Sequence, residues 1–187
     1  MPLPQETHQT AEDYWALPEG ERAELIDGVL YAMTPPNRKH QDIVSGLIWQ
    51  LKDFIKRNGG PCRAYVSPFA VNLNADDTTY VEPDVLVVCD PSKLTDRGCE
   101  GAPDFVAEVV SPSSRSMDYV KKTALYLDAG VREYWIIDPA RAMTTVYHFG
   151  DEGHEDRYAP IIYPFNVEVP VGIYAGKLAI TVEDLLG

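Results

Sequence analysis

The most informative segment of the chain is Asp104-Phe105-Val106-Ala107-Glu108-Val109-Val110-Ser111. An almost continuous apolar run of this length is typical of a strand that is covered on both faces. Hydroxyl residues at Ser111 to Ser114 suit a helix start, Asp118 to Ala129 fits the helix, and Gly130 fits its end. Val131 to Pro139 is aromatic and β-branched, as a central strand should be. This strand–helix–strand unit predicts an α/β fold with a mixed sheet.

Length and composition predict a single domain over residues 1–187, because 187 residues at 45% hydrophobic can bury a sizeable core. No apolar stretch reaches membrane-spanning length, and Met1 to Thr10 lacks the apolar core of a signal peptide. We therefore expect a cytoplasmic protein without a membrane partner. Cys62, Cys89 and Cys99 are odd in number and far apart, which predicts reduced thiols rather than disulfides or a zinc site.

The remaining sequence predicts two more helices and several further strands around this unit. Three- and four-residue spacings of apolar residues predict that the longest helix covers Asn37 to Asn58. Pro83 should begin or bulge the strand Tyr80 to Val88, because proline cannot donate to a central ladder. The other predicted elements are a helix at Ala11–Leu17, a hairpin at Ala23–Met33, strands at Cys62–Val66, Phe69–Leu73 and Met143–Phe149, a loop at Pro91–Ala102, an acidic turn at Gly150–Asp156, outer strands within Ile161–Ile180, and a final helical turn from Thr181.

Carboxylates stand within or beside three of the apolar strands, at Glu24, Asp84 and Glu108. A buried ionised carboxylate is costly unless it is protonated, paired or bound to a metal. If the three converge, they form an oxygen-rich pocket suited to Mg²⁺ or Mn²⁺. On a helical wheel Lys122 shares a face with Asp118 and Tyr126, whereas Lys121 points toward solvent, so Lys122 is the better candidate for an inward role.

Each of these residues also has an ordinary structural interpretation, which remains open at this point. Glu108 could pair with a buried arginine or lysine, and Asp84 could bond local amides at a strand start. Glu24 could lie on the wet face of a half-exposed strand, and Lys122 could be a solvated lysine. His40 could contact a phosphate or a metal, but a lone histidine more often makes ordinary hydrogen bonds.

The order and spacing of several short motifs resemble those of a known family. Pro83-Asp84 followed by Glu108-Val109-Val110 is similar to the PD-(D/E)XK motif of restriction-endonuclease-like nucleases. More narrowly, the chain resembles the Uma-type restriction endonuclease family, most strongly over residues 24–139. The segments that carry this resemblance are Glu24-Leu25-Ile26-Asp27-Gly28, His40, Pro83-Asp84, Glu108-Val109-Val110-Ser111-Pro112, Asp118 with Lys122, and Gly130-Val131-Arg132-Glu133-Tyr134-Trp135.

The resemblance implies a restriction-endonuclease-like mixed sheet flanked by helices, with additional antiparallel strands, and a metal-dependent endonuclease acting on DNA phosphodiester bonds. Asp84, Glu108 and the Val109 carbonyl would hold Mg²⁺ or Mn²⁺, and Glu24 would orient a ligand water or complete a second site. The superfamily lysine would lie two residues after Glu108, where Val110 stands. Within the narrower family the lysine lies on the following helix, and Lys122 fits that variation.

Two other functions remain open, and the charge of the chain bears on the choice. The chain carries a formal net charge of −13, which counts against a broad nucleic-acid-binding surface. It could be a non-catalytic interaction module or homodimer that keeps the nuclease fold, or a metal-dependent hydrolase of a small phosphoester. Residues 37–57 are locally basic, with five lysines and arginines against two aspartates. This local balance suggests that any nucleic-acid contact is narrow and that a homodimer would strengthen it.

Overall fold

The structure is a computed structural model that describes residues 8–150 and 159–187. Two six-stranded mixed sheets, a two-stranded ribbon and flanking helices form an α/β fold, as predicted. The helices are α1 (Ala11–Trp15), α2 (Arg38–Asn58) and α3 (Thr123–Ala129). The strands are β1 (Ala23–Ile26), β2 (Val29–Ala32), β3 (Arg63–Val66), β4 (Ala70–Asn72), β5 (Tyr80–Val81), β6 (Val85–Val88), β7 (Leu94–Thr95), β8 (Gly98–Glu100), β9 (Phe105–Val109), β10 (Glu133–Asp138), β11 (Met143–His148), β12 (Ile161–Pro164), β13 (Glu168–Pro170) and β14 (Ala179–Thr181).

The sheet with strand order β12-β11-β10-β9-β6-β3 contains the unit predicted from Asp104 to Pro139. β9 and β10 run parallel and place Glu108 opposite Ile136. Phe105, Ala107 and Val109 pack in the apolar cluster that includes the buried residues of α2, whereas Val106 packs in the cluster beneath α3. Because side chains alternate along a strand, Glu108 faces α3. The apolar run is therefore covered on both faces, as its composition predicted.

The second sheet has the order β2-β1-β5-β4-β8-β7, and Pro83 lies where the chain passes from it to the first sheet. The single strand predicted from Tyr80 to Val88 is wrong, because β5 belongs to one sheet and β6 to the other. Pro83 lies in the break between them, consistent with its lack of an amide donor for a continuous ladder. As a result, Asp84 lies at the junction of the two sheets.

The helix after β9 is continuous but not uniform. Met117–Lys122 forms a π-helical turn that leads directly into α3, and Gly130 ends the helix with φ of 87°. The predicted range Asp118 to Ala129 was therefore correct, but its first turns are wider than those of an α-helix. Asn37 caps the start of α2, where its side chain accepts from the His40 amide at 3.0 Å, and Gly59 caps the end of the helix.

Several smaller predictions are corrected by the tertiary contacts. The antiparallel pairing of β3 with β6 brings Cys62 opposite Cys89, and the two form a disulfide with an S–S distance of 2.07 Å. The expectation of three reduced thiols was wrong for this pair, and only the prediction for buried Cys99 is confirmed. The predicted loop Pro91–Ala102 contains β7 and β8. Beyond Gly150, the predicted acidic turn lies outside the described residues.

The hairpin predicted at Ala23–Met33 is present as β1 and β2, with Ala23 opposite Ala32. Met143–Phe149 is also confirmed, since β11 pairs antiparallel with β10. Among residues 8–150 and 159–187, no helix combines the length and apolar character needed to cross a membrane.

Candidate active site

Glu24, Glu108 and Lys122 meet in the interior of the protein. They come from β1, β9 and the π-helical turn, respectively. Lys122 Nζ lies 2.9 Å from Glu24 Oε1 and 2.9 Å from Glu108 Oε1. All three residues are buried, with 5%, 4% and 4% of Glu24, Glu108 and Lys122 exposed. The structure therefore brings together three of the four predicted catalytic residues.

Asp84 is the fourth predicted catalytic residue, and it contacts the end of β9 close to Glu108. Its Oδ2 accepts from the Val109 amide at 2.7 Å and lies 3.1 Å from His40 Nε2. The amide of Val109 thus orients the carboxylate that precedes β6. His40 Nδ1 is buried and has no hydrogen-bond partner within the described residues. This histidine consequently has an unsatisfied ring nitrogen next to the candidate site.

Tyr126 and Asp118 complete the surroundings of Lys122. The Tyr126 hydroxyl donates to Glu108 Oε1 at 2.7 Å, and Asp118 Oδ1 lies 3.9 Å from Lys122 Nζ. Tyr134 donates its hydroxyl to the Asp118 carbonyl at 3.1 Å. Asp118 and Tyr126 were not predicted as site residues. Their signal in the sequence is the four-residue spacing that places them on one helix face with Lys122.

A second group holds Glu24 in place and was missed by sequence reasoning. The Glu82 amide donates to Glu24 Oε1 at 2.9 Å. The Glu82 carboxylate accepts from Arg22 Nη2 at 2.6 Å and from the Tyr14 hydroxyl at 3.0 Å. The only signal for this group is the charged residue between Val81 and Pro83, and its partners lie 60 or more residues away in sequence.

The helical wheel predicted that Lys121 points toward solvent. In the structure 31% of its side chain is exposed, and its ammonium group contacts the β1–β2 hairpin. Its Nζ lies 3.0 Å from the Tyr31 hydroxyl and 3.3 Å from Asp27 Oδ2. The wheel considers one helix alone and does not include the β1–β2 hairpin, which supplies both of these contacts. Lys121 therefore attaches the helix to the β1–β2 hairpin, while Lys122 enters the site. Val110, at the superfamily lysine position, packs in the apolar cluster beneath α3.

The charges of the site are unbalanced. Burial raises the pKa of Glu108 to about 8, a shift that Lys122 opposes and that Asp84, Asp118 and Glu24 reinforce. Burial likewise raises the pKa of Asp118 to about 6. Burial acts to lower the pKa of Lys122, but the three carboxylates around it outweigh that effect and raise it well above its usual value. One ammonium thus faces more than one buried carboxylate.

The donors of this site suit a hard cation. Asp84 and Glu108 offer carboxylate oxygens, which Mg²⁺ and Mn²⁺ prefer, whereas Zn²⁺ favours sulfur and imidazole ligands. Within the part of the chain that the structure describes, no three His, Cys, Asp or Glu side chains are already grouped as a metal site. The match between this site and Mg²⁺ or Mn²⁺ rests on the chemistry of the donor atoms and on the excess of carboxylates over ammonium groups. The Val109 amide is engaged by Asp84, and its carbonyl remains a predicted ligand.

The fold and the site define an α/β protein with a helix-covered mixed sheet and a buried lysine held between two strand carboxylates. The chain belongs to the Uma2 family, whose description is "Putative restriction endonuclease" and which it matches over residues 11–183. This match is longer than the 24–139 segment in which the resemblance was strongest.

Two known proteins are similar over most of the chain. A solved structure from Anabaena variabilis ATCC 29413, described as "a putative nuclease belonging to DUF820", has a TM-score of 0.73 and 23% sequence identity. This similarity covers 94% of this chain and 96% of that chain, and it is one of fold. The "Uncharacterized protein slr1290" of Synechocystis sp. is 28% identical over 145 residues, which span 76% of this chain and 75% of that protein.

Proposed function

We propose that this protein is a metal-dependent endonuclease that hydrolyses phosphodiester bonds in DNA. The observation that carries the proposal is the meeting of Glu24, Glu108 and Lys122, with Asp84 tied to the same strand by the Val109 amide. Membership of the Uma2 family supports nuclease chemistry at this site. We further propose that the protein acts in the cytoplasm as a homodimer, since two copies would double its small basic surface.

Asp84, Glu108 and the Val109 carbonyl would hold Mg²⁺ or Mn²⁺. When bound, such an ion would supply a water of lowered pKa and would stabilise negative charge on the phosphate. Glu108 must be ionised to serve as a ligand, so Lys122 and the Tyr126 hydroxyl favour the required form by contacting its Oε1. The Val109 amide fixes the orientation of Asp84.

Glu24 and Lys122 would act on the water and the phosphate. Glu24, held by the Glu82 amide, can orient the attacking water and receive its proton. Lys122 can turn its ammonium to the phosphate and offset the charge that develops there. Because both side chains are almost fully buried, these charges act with little screening by solvent.

The first test is cleavage of supercoiled plasmid DNA with Mg²⁺ or Mn²⁺. Glu108→Gln keeps the shape of the side chain but removes its charge, so we expect cleavage to fall by at least about 100-fold. Glu168→Gln changes an exposed glutamate on β13 and should cleave like the wild type. Equal activity of the two variants would remove Glu108 from the mechanism. Hydrolysis of bis(p-nitrophenyl) phosphate without any plasmid cleavage would favour the small-phosphoester function.

Metal binding gives a second test that does not require activity. A ligand that binds only the native state stabilises it by about 2.7 kcal/mol at 100 times its dissociation constant. We expect Mn²⁺ to raise the melting temperature of the wild type and Asp84→Asn to lose most of that shift. A full Mn²⁺-dependent shift in Asp84→Asn would show that Asp84 is not a ligand.

A further inference from the structure

The imidazole of His40 lies beside Asp84 and has no role in the proposed mechanism. Its Nε2 lies 3.1 Å from Asp84 Oδ2, and the two side chains are only 13% and 15% exposed. His40 stands in the first turn of α2, where the Asn37 side chain accepts from its backbone amide at 3.0 Å. The start of a 21-residue helix therefore holds this imidazole against a predicted metal ligand.

Hydrogen bonding does not account for the contact between His40 and Asp84. The ring nitrogen Nε2 is close to Asp84 Oδ2, but its N–H direction is not aligned with that oxygen, so the geometry of a hydrogen bond is not met. Asp84 Oδ2 already accepts from the Val109 amide at 2.7 Å. The other ring nitrogen of His40, Nδ1, is buried and has no partner in residues 8–150 and 159–187. A buried polar group that gains no hydrogen bond is costly, and in a native structure it calls for an explanation such as a bound ion or water.

A cation shared by the two side chains accounts for their separation. A small divalent cation holds its ligands at about 2.1 Å, so two neighbouring ligand atoms of an octahedral site lie about 3.0 Å apart. The 3.1 Å between His40 Nε2 and Asp84 Oδ2 matches this separation, and two such ligand atoms do not point at each other. In this arrangement Nε2 gives its lone pair to the cation and Nδ1 carries the ring proton. Where no protein group accepts that proton, a water does.

We infer that His40 Nε2 is a ligand of the cation held by Asp84, an inference that rests on the proposed function. The ligand set then combines one imidazole nitrogen with oxygens of Asp84, Glu108 and Val109. Glu108 is turned toward Lys122, so only His40 and Asp84 are already adjacent. Imidazole nitrogen suits transition metals, whereas Mg²⁺ and Ca²⁺ prefer oxygen ligands. Of the two ions proposed for this site, His40 therefore favours Mn²⁺ over Mg²⁺.

Pulsed electron paramagnetic resonance of the Mn²⁺-loaded protein tests the bond directly. A nitrogen bound to Mn²⁺ modulates the electron spin echo, and labelling histidine with a heavy nitrogen isotope changes that modulation. We expect the modulation in the wild type and its loss in His40→Gln, a variant that assigns the signal among the four histidines of the chain. His148→Gln alters another partly buried histidine, on β11, and should keep the signal. The wild-type spectrum alone tests for a histidine ligand, so the inference remains testable if a variant does not fold.

Calorimetric titration measures the selectivity between the two ions. His40→Ala and His40→Gln should each bind Mn²⁺ at least about 10-fold more weakly, because even the outer partners of a metal ligand are worth about 10- to 100-fold in affinity. The affinity for Mg²⁺ should change less, so the preference of the wild type for Mn²⁺ falls. Circular dichroism and the melting temperature without metal show whether each variant is folded. Equal losses for both ions, with no histidine modulation in the wild type, would make His40 a support for Asp84 and overturn the inference.

The outcomes separate this inference from the proposed function. Plasmid cleavage and Asp84-dependent Mn²⁺ binding, without histidine modulation, would uphold the nuclease and overturn the histidine ligand. His40-dependent modulation in a protein that cleaves neither plasmid DNA nor bis(p-nitrophenyl) phosphate would uphold the ligand and refute the nuclease. A wild type that binds no Mn²⁺ would overturn the ligand, whereas plasmid cleavage with Mg²⁺ would still decide the nuclease.

Discussion

Lys122→Met tests how far the buried cluster depends on one ammonium group. Methionine matches the lysine side chain only as far as Cε, so Glu24 and Glu108 lose the Nζ that lies 2.9 Å from each. The side chains of Lys122 and Glu108 are only 5% and 6% exposed, so water cannot replace the lost partner. Removing one member of a buried ion pair costs about 3–5 kcal/mol, because the remaining charge is left uncompensated. We expect a loss of this size in the free energy of unfolding above about pH 8.

The loss should be smaller in acid. The pKa of Glu108 is already raised to about 8 by burial, and the charge of Lys122 acts to lower it. Without that charge the pKa rises further, so Glu108 can become neutral by taking up a proton. A carboxyl whose pKa is higher in the native state binds more protons there, and its contribution to stability is therefore lost as pH rises. The variant should accordingly recover much of its stability near about pH 5, below both the raised pKa of Glu108 and that of Asp118, about 6.

Equilibrium unfolding in urea at about pH 5, 7 and 9 measures this dependence. Lys177→Met is the matched control, since Lys177 is exposed and should show no loss. Equal stability of Lys122→Met and the wild type at about pH 9 would refute the account of an unpaired buried cluster. A loss that grows in acid would refute the assignment of Glu108 as the group that takes the proton.

Two further predictions concern Glu108 and its neighbour. In the wild type, the raised pKa of Glu108 means that the free energy of unfolding falls between about pH 4.5 and 8. Urea unfolding of Glu108→Gln should show a smaller fall over this range. An unchanged dependence on pH would contradict the raised pKa. Tyr126→Phe removes the 2.7 Å hydrogen bond to Glu108 Oε1. The free energy of unfolding should fall by about 1–3 kcal/mol, because the acceptor is buried and its hydrogen bond is stronger when Glu108 is ionised. Thermal unfolding that matches the wild type within about 0.5 kcal/mol would indicate that this bond contributes little.

Local sequence patterns predicted those helices and strands in which the spacing of apolar residues follows a single period throughout the element. The apolar run around Glu108 reads as a doubly covered strand, and the spacing from Ile43 to Leu51 reads as a helix buried on one side. Asp27-Gly28 marks the β1–β2 turn. The strand at Tyr80 to Val88 was wrong because its apolar pattern is the same on both sides of Pro83, and pattern alone does not tell which sheet each half joins.

In the candidate site, too, local sequence patterns identified some residues, whereas contacts between distant segments could not be predicted. The chain order of Glu24, Asp84, Glu108 and Lys122 identified the candidates, because carboxylates in apolar strands require partners. The sequence did not reveal the group of Arg22, Tyr14 and Glu82 that holds Glu24. A hydrogen bond between residues 60 or 68 positions apart leaves no local periodicity.

From the amino-acid sequence alone we predicted an α/β fold and a carboxylate, Glu108, inside an apolar strand that must be protonated, paired or bound to a metal. Strand and helix periods, turn residues and the cost of burying charge all act within a few residues of one another. The helical wheel favoured Lys122 over Lys121, but only the folded chain showed that the partner of Lys122 is Glu24, 98 residues away. It also decided that Cys62 pairs with Cys89, across β3 and β6. These pairings depend on the order of the strands in the two sheets, which is set by packing between distant segments.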